Sequence, residues 1–536
     1  MDTYNSPHLA LWKSAAVSAI AKQQNGKNAK IDEEHPLLKA IDTYSEAMIK
    51  NEPLTEPKNP EDLQDDDPQI LAYLTALNHQ LAHAKISEDK DLEDQINEQR
   101  GRFRYGNPLW EEQQIEYFRY YWNYPFHKGQ SPLYRSWQDK EFGNNNLNYG
   151  VIDWKIPADA TIALIGDIGT GTDIAAGVLA SALSFDPDVI LHVGDIYYSG
   201  TPYEFETRFI GMIREVMKAH GKNVPVFTIP GNHEYFTGGI GFYDCIDTDM
   251  LINTKDQKQE ASYFCLRTED DYWQFLAMDT SFYGHYMDVP EKAQKAALEL
   301  LHNNKVDIPS DPTNPHWSDA FNPIFHRVSN PYIKVEDTTH RTGMIPIRDD
   351  EQLWHKNKLE TFDGRTILLS HHQVYSAKQH IGVAQTQIKD SNGISVPNPK
   401  DMNRAWINTE LWKQFGAFMP KVAAWFWGHE HNLGIYKDNY RPDGWEDASG
   451  NLSTIPKGRC VGHSAIPVQE KEAPYEQKYP VPLIAENAKL DLTNGWYDRG
   501  YQILKLQGKD QPIKTSYYQI AEADPEPLLI FEEEIH

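Results

Sequence analysis

The sequence predicts an α/β layered domain, its buried strands joined by helices, behind a helical N-terminal region. Three observations carry that expectation. From Ala160 onward, short apolar runs alternate with stretches whose apolar residues recur at helical spacing, the pattern of strands covered by helices. Before about residue 150 only the helical spacing is present. Near the C-terminus, "GYQILKLQG" and "IKTSYYQIA" read as a β-hairpin that finishes a second sheet. The expected organisation is a helical region over 1–150 with no assigned role, an α/β domain over 151–522 with a loop-rich insertion at about 302–350, and an acidic tail over 523–536.

Each element has a local reason. "DDDPQILAYLTALNHQLAHAKI" offers Asp67 as N-cap and Pro68 at the first helical position. Its Ile70, Leu71, Leu74, Leu77 and Leu81 recur at helical spacing. "HPLLKAIDTYSEAMIK" is similar, and "WEEQQIEYFRYYW" is rich in aromatics. The charged "ISEDKDLEDQINEQRGR" reads as a solvated helix or linker. Strand candidates in the α/β domain are "TIALIGD", "DVILHVGD", "PVFTIPGNHE", "WQFLAMDTS", "RTILLSHH" and "VAAWFWGHEH". Between the first two, Ile174, Val178, Leu179 and Leu183 suit one helix face, with Thr172 and Asp173 at its start.

Composition narrows the function classes. A formal net charge of −27 argues against a nucleic-acid or anionic-membrane surface. A phosphorylated substrate fits only where local cations overcome that repulsion. Three cysteines, Cys245, Cys265 and Cys460, without a CxxC pair, read as free thiols in a reducing compartment. No basic segment precedes a sustained apolar N-terminal stretch, and no window approaches about 20 apolar residues. A cytoplasmic protein without a signal peptide or membrane span is expected.

Five of the strand-like runs end in metal-ligand residue types. They finish on Asp167, on Asp195, on Asn232 with His233, on His371 with His372, and on His429 with His431. Functional groups of α/β folds gather outside the carboxyl ends of the strands. Carboxylates, imidazoles and an Asn carbonyl suit a pair of hard or borderline metals. One HxH is a weak signal; five such endings in order are a strong one.

"GD", "GDIYY", "GNHE", "SHH" and "GHEH", in this order, resemble the five signature blocks of the calcineurin-like metallophosphoesterases over roughly residues 160–435. The resemblance implies a four-layer α/β/β/α sandwich and a two-metal hydrolytic centre. Much of that family begins with Asp-x-His, its His a metal ligand, whereas here the triplet is Asp167-Ile168-Gly169. Tyr198, three residues after Asp195, is the candidate replacement. "GDxG" followed by "GDxxY" resembles the purple acid phosphatase branch, in which the Tyr binds iron. The resemblance thus implies Asp167, Tyr198 and His431 on a first metal, Asn232, His371 and His429 on a second, and Asp195 bridging. A tyrosinate favours Fe(III) beside Zn, Mn or Fe(II), with di-Mn or di-Zn as the alternatives.

The expected reaction is hydrolysis of a phosphomonoester on a small molecule or phosphoprotein by a metal-activated hydroxide. His233 contacts the phosphate or protonates the leaving oxygen, Asn232 also meets substrate, and His380 in "YSAKQH" is a further substrate-facing candidate. A phosphodiesterase or nucleotide hydrolase with the same centre is the alternative within the class. A partner-binding or effector module that keeps the fold is the alternative outside it. "GDIGTG" as a phosphate loop is weak, since it matches neither GxGxxG nor GxxxxGK[ST] and leaves four blocks unexplained. Tyr197 and His372 stand beside the chosen ligands as neighbours. His192 reads as a satisfied core residue, Asp279 as a capping group, and Glu234 and Glu430 as orienting or solvent-facing groups.

Overall fold

Alternation along the strands sorts the apolar residues of the α/β region into an inner core and two outer ones. The computed structural model describes residues 7–24, 31–32, 34–50, 52–57, 68–87, 89–101, 109, 112–113, 116, 132–247, 257–283, 345–379, 381, 387–389, 395–397, 406–441, 453–484, 488–521 and 524–536. They divide into two compact units. The first holds the described residues of Met1–Leu133 and Phe236–Ile240; the second holds those of Tyr134–Tyr235, Gly241–Tyr286 and Asn330–His536. Asp67, most of "WEEQQIEYFRYYW" and the expected insertion up to residue 344 lie outside the described residues.

The first unit contains the helices Pro7–Gln23, Pro36–Ile49, Pro68–Ser87 and Lys90–Gly101. The charged stretch is therefore helical. Leu37, Leu38 and Ile41 are buried, as are Ile70, Leu71, Leu74 and Leu77, consistent with their helical spacing. No helix among the described residues is long and apolar enough to cross a membrane.

In chain order the strands of the second unit are β1 (Val151–Ile156), β2 (Thr161–Ile165), β3 (Val189–His192), β4 (Val226–Thr228), β5 (Phe264–Thr268) and β6 (Trp273–Ala277). They continue with β7 (Arg365–Ser370), β8 (Gln387–Lys389), β9 (Ser395–Pro397), β10 (Val422–Trp427), β11 (Leu433–Ile435) and β12 (Gly458–Val461). Last come β13 (Leu492–Thr493), β14 (Trp496–Tyr497), β15 (Arg499–Lys505), β16 (Ile513–Ala521) and β17 (Asp524–Ile535). One sheet runs β1-β5-β6-β7-β10-β12-β11 and the other β17-β16-β15-β2-β3-β4, while β8-β9 and β13-β14 are small ribbons.

Ile162 and Leu164 of β2 point into the core between the sheets, with Ala424 and Phe426 of β10. Ala163 and Ile165 point the other way, onto the helices Asp173–Leu183 and Gly211–Ala219. Trp425 and Trp427 do the same across the second sheet, in a core that includes the helices Asp349–Thr361 and Thr409–Phe415. The layers are thus helix, sheet, sheet, helix, as expected. Strands buried on both faces read as continuous apolar runs, and each large side chain so buried contributes about 1.5–3 kcal/mol. Thr172 caps the first of these helices by accepting the Ala175 amide.

Two expectations about boundaries differ from the structure. Residues 134–150 belong to the second unit, not to the helical region. Their polar groups explain it: Tyr134 Oη donates to Glu351, and Trp354 Nε1 donates to the Leu147 carbonyl. The expected acidic tail is instead mostly β17, paired antiparallel to β16. Its acids have work in the fold. Glu533, its side chain only 7% exposed, accepts from both Nε and Nη2 of Arg459, at 2.7 and 2.6 Å, and from Lys457 at 2.8 Å. Tyr517 Oη donates to the same carboxylate at 2.7 Å. Arg459 lies on β12, so this cluster ties the edge of one sheet to the other.

Burial alone would raise the Glu533 carboxyl, but Arg459 and Lys457 outweigh it and bring it down from 4.5 to about 2. A depressed carboxyl contributes stability fully above its unfolded value of about 4.3 and loses it as pH falls toward the folded value. Glu533→Ala leaves Arg459 buried and short of a partner and should cost about 3–5 kcal/mol. Urea melts of parent and variant should differ by that amount at pH 7 and converge as pH is lowered from about 4.5 to 2.

Candidate metal centre

The strands β2, β3 and β4 run parallel, as do β6, β7, β10 and β12. Within each sheet the carboxyl ends therefore lie on one side, and the five motif endings are at those ends. Asp167, Asp195, His429 and His431 all have left-handed backbones, with φ of 59°, 73°, 71° and 53°. Non-glycine residues adopt this region rarely, and such outliers cluster at functional sites. The conformation turns each side chain away from its strand direction.

Glycine is required where the loops meet. A Cβ on Gly231 would stand 1.9 Å from Asp195 Oδ1. A Cβ on Gly169 would stand 2.5 Å from Ile196 Cδ1 and 2.7 Å from the Asp195 carbonyl oxygen. No side chain, histidine included, fits at 169 unless this loop moves.

Two groups of donor atoms result. In one, His371 Nε2, His429 Nδ1 and Asn232 Oδ1 lie 3.0–3.2 Å from one another, and Asp195 Oδ1 is 3.3 Å from His371 Nε2. In the other, the Tyr197 hydroxyl lies 2.9 Å from Asp167 Oδ1, 3.0 Å from Asp195 Oδ2 and 3.0 Å from His431 Nε2. Asp195 gives one oxygen to each group. The sequence reading put Tyr198 in the second group; the hydroxyl on these three groups belongs to Tyr197. The Tyr198 ring packs under the Arg208 guanidinium, 4.4 Å from its centroid. His380 lies outside the described residues.

The donor chemistry fits metal ions. The phenol oxygen stands 2.9–3.0 Å from three ligand-type atoms, and two imidazole nitrogens and an amide oxygen crowd within 3.0–3.2 Å of one another. Such spacings are the edges of a coordination shell, since metal–ligand bonds of about 2.1 Å place neighbouring ligands about 3.0–3.4 Å apart. His371 Nδ1 donates to the Val193 carbonyl at 2.9 Å, which turns its Nε2 toward the group. His429 and His431 are held neutral, burial pushing them down to about 3 and about 4.

Charge makes the same point. Burial, with Asp195 adding to it, pushes Asp167 up to about 8. Burial also opposes ionisation of Asp195, but His371, His233 and His429 hold it well below the usual carboxylate range. Its partner His371 rises to about 9, against burial, through the Asp195 charge. Two buried carboxyls thus share too little positive charge, a deficit that bound cations fill.

Acids behind the site hold its loops. Glu234 accepts the backbone amides of Asp195, Ile196 and Gly231. Glu204 accepts those of Tyr198, Ser199 and Thr201. His233 donates Nδ1–H to the Tyr198 carbonyl, and its Nε2 lies 3.9 Å from Asp195 Oδ2. His192 is held by Thr228 Oγ1 inside β3, and Asp279 caps the Ser281 and Phe282 amides. Glu430 is buried, which pushes its carboxyl up to about 8. His372 joins His371 and His429 in a cluster of possible ligand atoms within 4.8 Å of one another. The sequence reading left Glu204 out, because only the loop's folded path brings its carboxylate onto those amides.

The calcineurin-like phosphoesterase family model matches residues 160–433. The chain belongs to that family. This calcineurin-like phosphoesterase therefore carries a domain for metal-dependent phosphoester hydrolysis, and the family implies two divalent metal ions. No curated protein matches the chain. Among solved structures it is similar to one described as GAP50, the anchor in the inner membrane complex of Plasmodium. That match has 11% identity, covers 70% of this chain and 89% of that one, and has a TM-score of 0.34.

Replacing Glu234 by Ala leaves three buried amides without their acceptor, at about 1–3 kcal/mol for each unsatisfied group. The variant should melt well below the parent and take up less metal, as read by calorimetry and by metal analysis after dialysis.

Proposed function

We propose that this phosphoesterase is a phosphomonoester hydrolase with a binuclear centre of the purple acid phosphatase type, whose phenolate comes from Tyr197. The observation that carries the reading is the Tyr197 hydroxyl set between Asp167, Asp195 and His431. Asp167, Tyr197 and His431 hold the first metal, Asn232, His371 and His429 the second, and Asp195 serves both. Burial and the two carboxylates raise the Tyr197 phenol well above its ordinary value. Only a strongly acidic cation would deprotonate it there, which favours Fe(III) beside Zn, Mn or Fe(II).

When bound, the two metals supply Lewis-acid activation of water and neutralise charge on the phosphoryl group. The protein's own part is positional. His233, its Nδ1 proton committed to the Tyr198 carbonyl, exchanges protons at Nε2 and passes one to the leaving oxygen. Asn232 sits beside it at the start of the short helix Asn232–Tyr235 and contacts the substrate. The substrate is a phosphorylated small molecule or phosphoprotein.

Iron-loaded protein should show a visible tyrosinate–iron band that Tyr197→Phe removes and Tyr198→Phe retains. It should hydrolyse an aryl phosphate monoester faster than the bis-aryl diester. Asp195→Asn should lower kcat by about a thousandfold, the loss of roughly 4 kcal/mol of charge stabilisation. Full activity in metal-free protein after chelation would overturn the reading.

A further inference from the structure

The donors of the second-metal group come from both sheets. Asn232 follows β4 of one sheet, whereas His371 and His429 follow β7 and β10 of the other. Their donor atoms lie 3.0–3.2 Å from one another, so the group keeps its shape while the two sheet ends keep their spacing. The first-metal group differs: Asp167, Asp195 and Tyr197 all follow strands of the sheet that holds β2 and β3, and His431 alone crosses from β10.

A buried side chain outside both donor groups spans the gap between the sheets. Asp279, in the loop after β6, is 0% exposed, and burying an acid is costly unless it is bonded. Its Oδ1 accepts the Ser281 and Phe282 amides at 3.0 and 2.9 Å, which an asparagine oxygen would do equally. Its Oδ2 accepts the Tyr235 hydroxyl at 2.6 Å, and the Ser262 hydroxyl bonds to the same carboxyl. One carboxyl thus holds the β6 loop with one oxygen and the turn after β4 with the other.

Both ends of this strut lead to ligands. Tyr235, itself 0% exposed, ends the single helical turn that Asn232 begins. Residues three apart in such a turn share a face, so a shift of Tyr235 carries Asn232 with it. On the other side, the Met278 amide donates to the Leu369 carbonyl of β7, and Thr280 Oγ1 accepts the His372 amide at 3.0 Å. These bonds pin the Asp279 loop beside His371. The Asp279 amide also donates to Glu351 Oε1 at 2.8 Å, which ties the loop to the helix Asp349–Thr361.

We propose that Asp279 is a positioning residue for the second metal: through the Tyr235 hydroxyl it sets the Asn232 amide oxygen against His371 and His429. The inference rests on the two-metal reading of the site. Its effect is selective, because the first-metal group draws most of its members from one sheet.

The test is calorimetric titration of iron-loaded protein with zinc, the visible tyrosinate–iron band reporting on the first site. Tyr235→Phe removes only the hydroxyl. It should weaken zinc binding by about tenfold or more, the usual worth of a group that orients a ligand, and leave the band in place. Asp279→Ala should weaken zinc binding at least as much. Tyr235→Phe added to Asp279→Ala should cost little more, since the two groups make one bond. Where Asp279→Ala folds poorly, Tyr235→Phe alone decides. Zinc affinity unchanged in Tyr235→Phe would overturn the proposal, and so would an equal loss of iron, which would make the bond a general support of the fold. A parent protein that takes up no metal overturns the two-metal reading and the inference with it. A parent that binds two zinc ions but shows no iron band overturns the tyrosinate reading alone; one of the two zinc affinities should then still fall in Tyr235→Phe.

Discussion

Two carboxylates buried at the ends of adjacent parallel strands are the constraint on which the rest depends. Asp167 and Asp195 are 0% and 1% exposed, and ionised groups are costly in such a place unless compensated. The surrounding chain gathers imidazoles, a phenol and an amide around them within about one ligand shell. It also accepts left-handed backbone at four of the residues involved, and glycine where Asp195 would otherwise meet a Cβ. None of these features improves a core. Each makes sense once the pair of acids is required to face cations.

The supporting layer works through hydrogen bonds to the backbone. Glu234 and Glu204 stand behind the site, and each spends its carboxyl oxygens on three backbone amides. Those amides belong to the loops that carry Asp195, Tyr197 and Asn232. Loops on rigid strands commonly carry function, and here they are fixed by side chain to backbone bonds as well as by sheet pairing. On a chain of net charge −27, bound metals would be the local positive pole that lets an anionic substrate approach.

Much of this was legible in the sequence because strand burial and strand endings both leave local marks. "TIALIGD" shows a strand covered on two faces and an acid at its exit; repeating that pattern gives an α/β layered domain, and the four-layer order is what the resemblance to the calcineurin-like metallophosphoesterases implies. The helix after it was equally plain, since Thr172 and the Ile174–Leu183 spacing are local signals. The edge strand β17 was not, because "PLLIFEEEIH" looks like a solvated tail until Arg459, 74 residues earlier, is brought beside Glu533. The same holds for residues 134–150, whose partners on the helix Asp349–Thr361 are some 200 residues away. Polar segments read as exposed when the partners that bury them are distant in the chain.

The site itself shows a finer limit. Its residues come in neighbouring sets: Tyr197 and Tyr198, Asn232 and His233, His371 and His372, His429 and His431. In a strand, alternation would decide which member faces the centre. These sets lie just past the strand ends, where no period applies and the turn alone decides. At 197–198 the turn brings the first tyrosine to the acids and lays the second against Arg208. At 371–372 it brings both imidazoles together, their ring centroids 5.0 Å apart. The Val193 carbonyl accepts from His371 Nδ1, whereas the Thr280 and Ser281 hydroxyls stand at His372 Nδ1. Two adjacent residues of one type thus have different surroundings, set by groups that the motif does not contain.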